Sequence, residues 1–301
     1  MTVDENAFEW DDDYNIGVEV VDNAHRQLFR IVSRIANIFK EGDFDKNKST
    51  CIEAVKYLKS YAAKHFSEEE AYQLKIGYKG YKMHKEVHEN MKNVVIPALE
   101  KEMEVKSYSK ESIAYFLGVC AGWLTTHILI EDRAIVGKVK SKWAAKSDDR
   151  DANHLAEIIK GYSSSLFSMN ADLFSKKYTG HKLNTLFCYQ DALELKDGST
   201  CTVYTAIEHS MLEIMAHRLV KSEILVLDSV MLPMLSEMMR SFDMEVASAY
   251  LGYRPKHKSG CAIPEENFYA IYDNAYPDHS MLWRTYCGHF AFVVKNQPLT
   301  S

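Results

Sequence analysis

Apolar residues recur every three or four positions in four long stretches of the first half of the chain. Val21, Leu28, Ile31, Ile35 and Ile38 predict a helix from about residue 18 to 40. Ile52, Val55, Leu58, Tyr61 and Ala62 predict a second from about 49 to 74, after the turn EGDFDKNKS. Met83, Val87, Met91 and Val94 predict a third from about 81 to 103, with Pro97 placed to kink its second half. Ile113, Phe116, Leu117, Cys120 and Leu124 predict a fourth from about 110 to 136. The break IGYKGY holds Gly77 and Gly80, both suited to helix ends. Four helices of similar length with short connections predict an all-α, antiparallel, up-and-down four-helix bundle over residues 1–137. An acidic, aromatic arm ending at Gly17 precedes it.

The pattern then changes. Residues 138–153 are polar and charged and predict a linker. A further helix is expected from about 154 to 177. TLFCYQDALEL and STCTVYTAI read as strands joined by a turn at Asp197-Gly198. EHSMLEIMAHRLV and SVMLPMLSEMMRSF read as helices, and NFYAIYDNAY and YCGHFAFVVK as late strands. Residues 154–301 are therefore expected to form an α+β domain.

The helical half carries the candidate chemistry. Its five histidines are His25, His65, His84, His88 and His127, with Glu69 four residues after His65 and Asp132 five after His127. Residues four apart on a helix share a face, so His65 with Glu69, and His84 with His88, project together. Five apart is about 140° on an α-helix. His127 and Asp132 would then reach a metal pair from two sides, or a widened π turn would bring them together. Imidazoles mixed with carboxylates suit iron. Two bridging acids, terminal histidines and a solvent-derived oxide or hydroxide bridge would leave one position open on a pair of octahedral ions.

These residues resemble a known family. Trp10, Tyr14, Gly17, Val20, Val21, Asp22, His25 and Leu28 are similar to the opening motif of bacterial hemerythrins. HFSEEE from His65, HKEVH from His84 and HILIED from His127 match the rest of its pattern, and the resemblance covers about residues 8–137. It implies two irons, one held by His84, His88 and His127 and the other by His25 and His65, with Glu69 and Asp132 bridging. It also implies dioxygen bound reversibly, end-on, at the two-histidine iron. Asp22 is expected as a helix cap, and Trp10 and Trp123 as packing residues.

The second half offers less. Cys261, His279, Cys287 and His289 fit no common zinc spacing. The element order over about 154–296 is loosely similar to the CheX-like chemotaxis phosphatase fold. That family uses a helical Glu-x-x-Asn, and here Glu237 is followed by Arg240 where asparagine would stand. The departure counts against phosphatase activity and favours a binding or dimerisation module.

Composition narrows the classes. A net charge of −6 offers no basic field for nucleic acid. No apolar run suggests a membrane span, and the N-terminus is unlike a signal peptide. Six scattered cysteines point to reduced thiols and a cytoplasmic location. The expectation is a non-haem di-iron protein that binds dioxygen, a sensor coupled to its C-terminal domain and a binding protein rather than an enzyme. A carrier or store, a di-iron oxidase or peroxidase, and a chemotaxis-type phosphatase or adaptor are the alternatives. Expected partners are dioxygen, a signalling protein and a second copy of the chain.

Overall fold

The structure is a computed structural model, and it describes residues 10–40, 44–138, 152–167, 169–180, 182–219, 228–274 and 277–296. Most of the expected linker, and the first nine residues of the arm, lie outside these. The chain divides into two compact units. One takes in Met1–Lys138 with His217–Glu237, the other Val139–Ala216 with Met238–Ser301.

The first unit is the four-helix bundle. Its elements are α1 (Glu19–Lys40), α2 (Phe44–Lys75), α3 (Tyr81–Asn90) continued by α4 (Ile96–Val105), and α5 (Lys110–Thr126) continued by α6 (Arg133–Ile135). Most of the apolar stripe residues face inward: Leu28, Ile35, Val55, Leu58, Val87, Ile113, Phe116 and Leu117 are all buried, whereas Val94 is exposed. α1 packs on α2 and α5, and α4 on α5, as in an up-and-down bundle. Ser109 caps α5 by accepting the Ser112 N–H. α2 starts at Phe44, earlier than the sequence suggests, so most of the expected turn is helical.

Two segments depart from α geometry. Met91–Val95 is π-helical and ends two residues before Pro97. Proline removes a backbone donor and crowds the preceding turn. Widening that turn lets the helix continue where a kink is expected. His127–Asp132 is the second π segment, and the Arg133 N–H reaches back to the Ile128 carbonyl, five residues away. The helix Lys110–Ile135 is in fact long and apolar enough to cross a membrane by length and composition, but 94% of its most apolar 18-residue window is buried inside the protein.

The second unit carries a six-stranded antiparallel sheet of β1 (Asp172–Ser175), β2 (Leu186–Glu194), β3 (Thr200–Glu208), β4 (Lys256–Ile263), β5 (His279–Thr285) and β6 (Gly288–Asn296). The strand order is β1-β5-β6-β3-β2-β4. The β2–β3 hairpin turns at Asp197-Gly198, where Gly198 has φ +82° and Asp197 accepts the Ser199 N–H. Alternation sorts the two faces. Cys188, Tyr204, Ala206, Leu282, Ala291 and Val293 face a core completed by Phe268 and Ile271. Phe290 and Phe292 point the other way and meet Phe167 and Phe242.

Helices α7 (Ala152–Leu166), α8 (His209–Leu219) and α9 (Asp228–Leu251) account for the remaining long elements. α7 stops short of the expected residue 177, because Asp172 and Leu173 pair with Arg284 and Trp283 as β1. The stretch expected as a strand around 267–274 is instead helical, as α10 (Glu265–Tyr269) and α11 (Ile271–Asn274). Phe268, Ile271 and Tyr272 fit i, i+3, i+4 spacing, whereas on a strand Ile271 would face away from the other two, and the core takes the helical face.

Candidate metal centre

Four helices each bring ligand-type side chains to one buried place. α1 supplies His25, α2 His65 and Glu69, α3 His84 and His88, and the π segment His127 and Asp132. None of the seven is more than 3% exposed. The structure brings all seven together, with His65 beside Glu69 and His84 beside His88 as their spacing predicts. His65 Nε2 lies 3.3 Å from Glu69 Oε2, and His127 Nε2 lies 3.1 Å from Asp132 Oδ1. The π turn returns residues five apart to the same side of the helix, which closes the alternative left open by the spacing.

The carboxylates divide the histidines into two groups. Glu69 turns Oε1 to His84 Nε2 at 2.8 Å and Oε2 to His65. Asp132 turns Oδ1 to His84 and His127, at 3.4 and 3.1 Å, and Oδ2 to His25 Nε2 at 3.2 Å. Each acid thus offers one oxygen to the group His84, His88, His127 and the other to the group His25, His65. Within the first group, His88 Nε2 is 3.2 Å from His84 Nε2 and 2.8 Å from His127 Nε2.

Such a set is costly unless something positive sits in it. His25 Nε2, His65 Nε2, Glu69 Oε2 and both Asp132 oxygens are buried without a hydrogen-bond partner. Nitrogens at 2.8 Å cannot both carry protons between them. Burial, helped by His25, lowers His65 to about 3, and burial lowers His88 to about 4 against the pull of Glu70. Both imidazoles are therefore neutral and free to donate lone pairs. Burial and Asp132 push Glu69 up, yet His84 outweighs them and holds it at about 2. Burial likewise opposes ionisation of Asp132, and His127 and His25 hold it well below the usual range. His84 moves the other way: burial lowers it, but Glu69 and Asp132 raise it to about 9. One imidazolium against two carboxylates leaves net negative charge in a dry interior. Neutral nitrogens, anionic oxygens and orphaned acceptors converging here fit transition-metal cations.

Aromatic rings wall the site. Trp123 lies flat on His127, with centroids 4.3 Å apart, and Phe66 lies flat on His88 at 4.2 Å. Trp10 stacks over His25 at 6.3 Å and meets Phe29 edge-on. Both tryptophans therefore touch the site as well as packing the bundle. Asp22 is not a cap of its own helix. It binds the Ile16 and Gly17 N–H groups at 2.7 and 3.0 Å, folding the arm back so that Trp10 meets His25.

Two further contacts at the site lie outside the residues singled out from the sequence. Glu70 Oε1 lies 3.1 Å from His88 Nδ1, across two helices and 18 residues. Gln73 Nε2 donates to Glu69 Oε1 at 2.6 Å. The i, i+4 spacing could have pointed to Gln73, whereas nothing in the spacing marks Glu70. In the second unit Cys261 is exposed, and His289 binds Glu208 at 3.1 Å. Among the described residues, the metal-type clusters are those of the bundle.

The Hemerythrin HHE cation binding domain matches residues 16–139. Bacteriohemerythrin of Clostridium acetobutylicum is 32% identical over 130 residues, which cover 43% of this chain and 98% of that protein. Myohemerythrin of Sipunculus nudus is 27% identical over 136 residues, covering 44% and 95%. Among solved structures, the chemotaxis protein CheX from Vibrio vulnificus is similar, with a TM-score of 0.36 and 7% identity, over 50% of this chain and 100% of that one. A CheC-like superfamily protein from Shewanella covers the same shares with a TM-score of 0.35 and 7% identity.

Proposed function

The chain belongs to the hemerythrin family through its N-terminal unit, and on that premise we propose that it is a non-haem di-iron protein that binds dioxygen reversibly and serves as an oxygen sensor. The observation that carries this reading is the division of seven buried side chains by two carboxylates into two histidine groups. His84, His88 and His127 would hold one iron, His25 and His65 the other, and Glu69 and Asp132 would bridge them, with an oxide or hydroxide completing the pair. Held there, the two irons would supply the redox chemistry that reversible dioxygen binding needs.

The protein's own part is to hold and to shield. The imidazoles kept neutral by burial donate lone pairs without first losing protons. Glu70 fixes the ring of His88, and Gln73 fixes Glu69. Trp123, Phe66 and Trp10 keep bulk water from the histidines, which favours a lasting adduct over turnover.

Sensing, rather than carriage, is supported by the second unit, which a carrier does not need. We assign residues 1–137 to oxygen binding, 138–153 to the join and 154–301 to a signalling partner or a second copy of the chain. Six free cysteines suit a reducing, cytoplasmic setting.

Iron content with an optical spectrum tests the centre: two irons per chain are expected, and one iron or zinc overturns it. Stopped-flow mixing of the reduced protein with oxygen tests the reaction. A long-lived adduct is expected, and rapid turnover would make the protein an oxidase or peroxidase instead. Comparing oxygen-free and oxygen-bound full-length protein by association state and hydrogen exchange tests sensing, and identical behaviour removes it.

A further inference from the structure

Gln73 is fully buried, one turn beyond Glu69 on α2. Its Nε2 donates to Glu69 Oε1 at 2.6 Å. Its own Oε1 is buried without a partner. For folding alone this is a poor choice. An amide acceptor left unsatisfied in a dry interior carries its desolvation cost uncompensated, and an apolar side chain of the same shape would avoid that cost. A residue that breaks the packing rule inside a site is expected to serve that site.

The geometry says which part it serves. Glu69 Oε1 is the oxygen that faces His84, at 2.8 Å, while Oε2 faces His65. A carboxylate on a flexible side chain can turn about its terminal bond and give both oxygens to one side. A short hydrogen bond to Oε1 alone stops that rotation. It also draws charge from Oε1, so the two oxygens become unequal donors.

We propose that Gln73 is the positioning residue of the metal centre: it locks Glu69 in the orientation that spans the two histidine groups, and it weakens the carboxylate's bond toward the His84 side. This rests on the two-metal reading above. Without the amide, Glu69 can collapse onto one group, and the second ion loses its bridge.

The test is anaerobic titration of the metal-free full chain with Co(II), whose visible spectrum reports coordination, beside the thermal midpoint of the metal-free protein. Gln73→Met keeps the shape and removes the donor. Gln73→Glu keeps the shape, removes the donor and adds charge. The wild type is expected to take two equivalents. Both variants are expected to take the first normally and the second at least about 10-fold more weakly, in the range of lost partners to metal ligands. The metal-free Gln73→Met protein is expected to be as stable as the wild type or more so. Two equivalents at unchanged affinity and spectrum in both variants would overturn the proposal. So would a destabilised metal-free Gln73→Met protein, because Gln73 would then be serving the fold. A wild type that takes fewer than two equivalents would sink the two-metal reading itself, whatever the variants do.

Discussion

His127 and Asp132 stand five residues apart on one helix, yet His127 Nε2 and Asp132 Oδ1 are 3.1 Å apart because a π turn joins them. The same aspartate turns its other oxygen to His25 on α1. Removing it strips one oxygen from each histidine group at once. Asp132→Ala is expected to drop metal content from two ions per chain to one or none, measured by elemental analysis after loading with ferrous iron. A loss larger than the roughly 10–100-fold that indirect partners give is expected. Two retained ions would show that Asp132 is not a ligand.

Glu70 touches His88 from behind, at Nδ1. A carboxylate there fixes the ring and makes Nε2 a better donor. Glu70→Gln should weaken metal binding about 10–100-fold in a chelator competition while leaving the helix content by circular dichroism unchanged. Equal affinity in variant and wild type would reduce Glu70 to a surface charge.

Metal removal should cost stability. The metal-free cluster buries two carboxylates against one imidazolium, while a bound cation satisfies the orphaned atoms. Ligand present at 100 times its dissociation constant adds about 2.7 kcal/mol. Calorimetry with and without chelator should therefore show a lower unfolding midpoint for the stripped protein. An unmoved midpoint would mean that the site binds nothing tightly.

The second unit carries a pH-dependent cost of its own. Asp243 on α9 is buried, accepts a bond from Thr205 at 2.6 Å, and is raised well above 3.8 by burial first and by Asp191 second. A raised carboxyl keeps its proton in the folded state while the unfolded chain loses it. Its favourable contribution is complete below about pH 3.8. It declines as pH rises from there through the folded value, and then levels off. Asp243→Asn should flatten that decline and raise stability at neutral pH, read from urea midpoints between pH 4 and 8. An unchanged slope would mean that the proton is not held there.

Gly260 on β4 pairs with Asp191 on β2. A methyl group at residue 260 would overlap the Asp191 carboxylate and lie 2.6 Å from the Tyr189 hydroxyl. Gly260→Ala should cost about 1–3 kcal/mol by denaturant unfolding, the range for overpacking. If the cause is this overlap, the loss in the Asp191→Ala background should be smaller.

The bundle and its seven polar residues were legible because helical periodicity is local. A stripe of apolar residues every three or four positions can be buried in few ways, and histidines at i, i+4 must share a face. The second unit was legible only in part. Short apolar runs such as that around Phe268 can be read as a strand or as a helix, and pairing across the sheet decides between them. β1 escaped notice because its partner, β5, lies more than 100 residues along the chain.

The sequence by itself determined four helical stripes and, through spacing, that His65 shares a face with Glu69 and His84 with His88; the place of His25, His127 and Asp132 among them came from the resemblance to hemerythrins. Only the tertiary structure decided how they divide the work. Which carboxylate oxygen faces which histidine and the reach of Glu70 to His88 depend on distances between helices, and the π turn that brings Asp132 to His127 is a local widening that five-residue spacing alone does not fix. Gln73 lies between these cases: its spacing put it beside Glu69, but its burial and its single short bond show what it holds. Spacing fixes the angle of a side chain around its own axis, and nothing in that angle says what waits across the bundle.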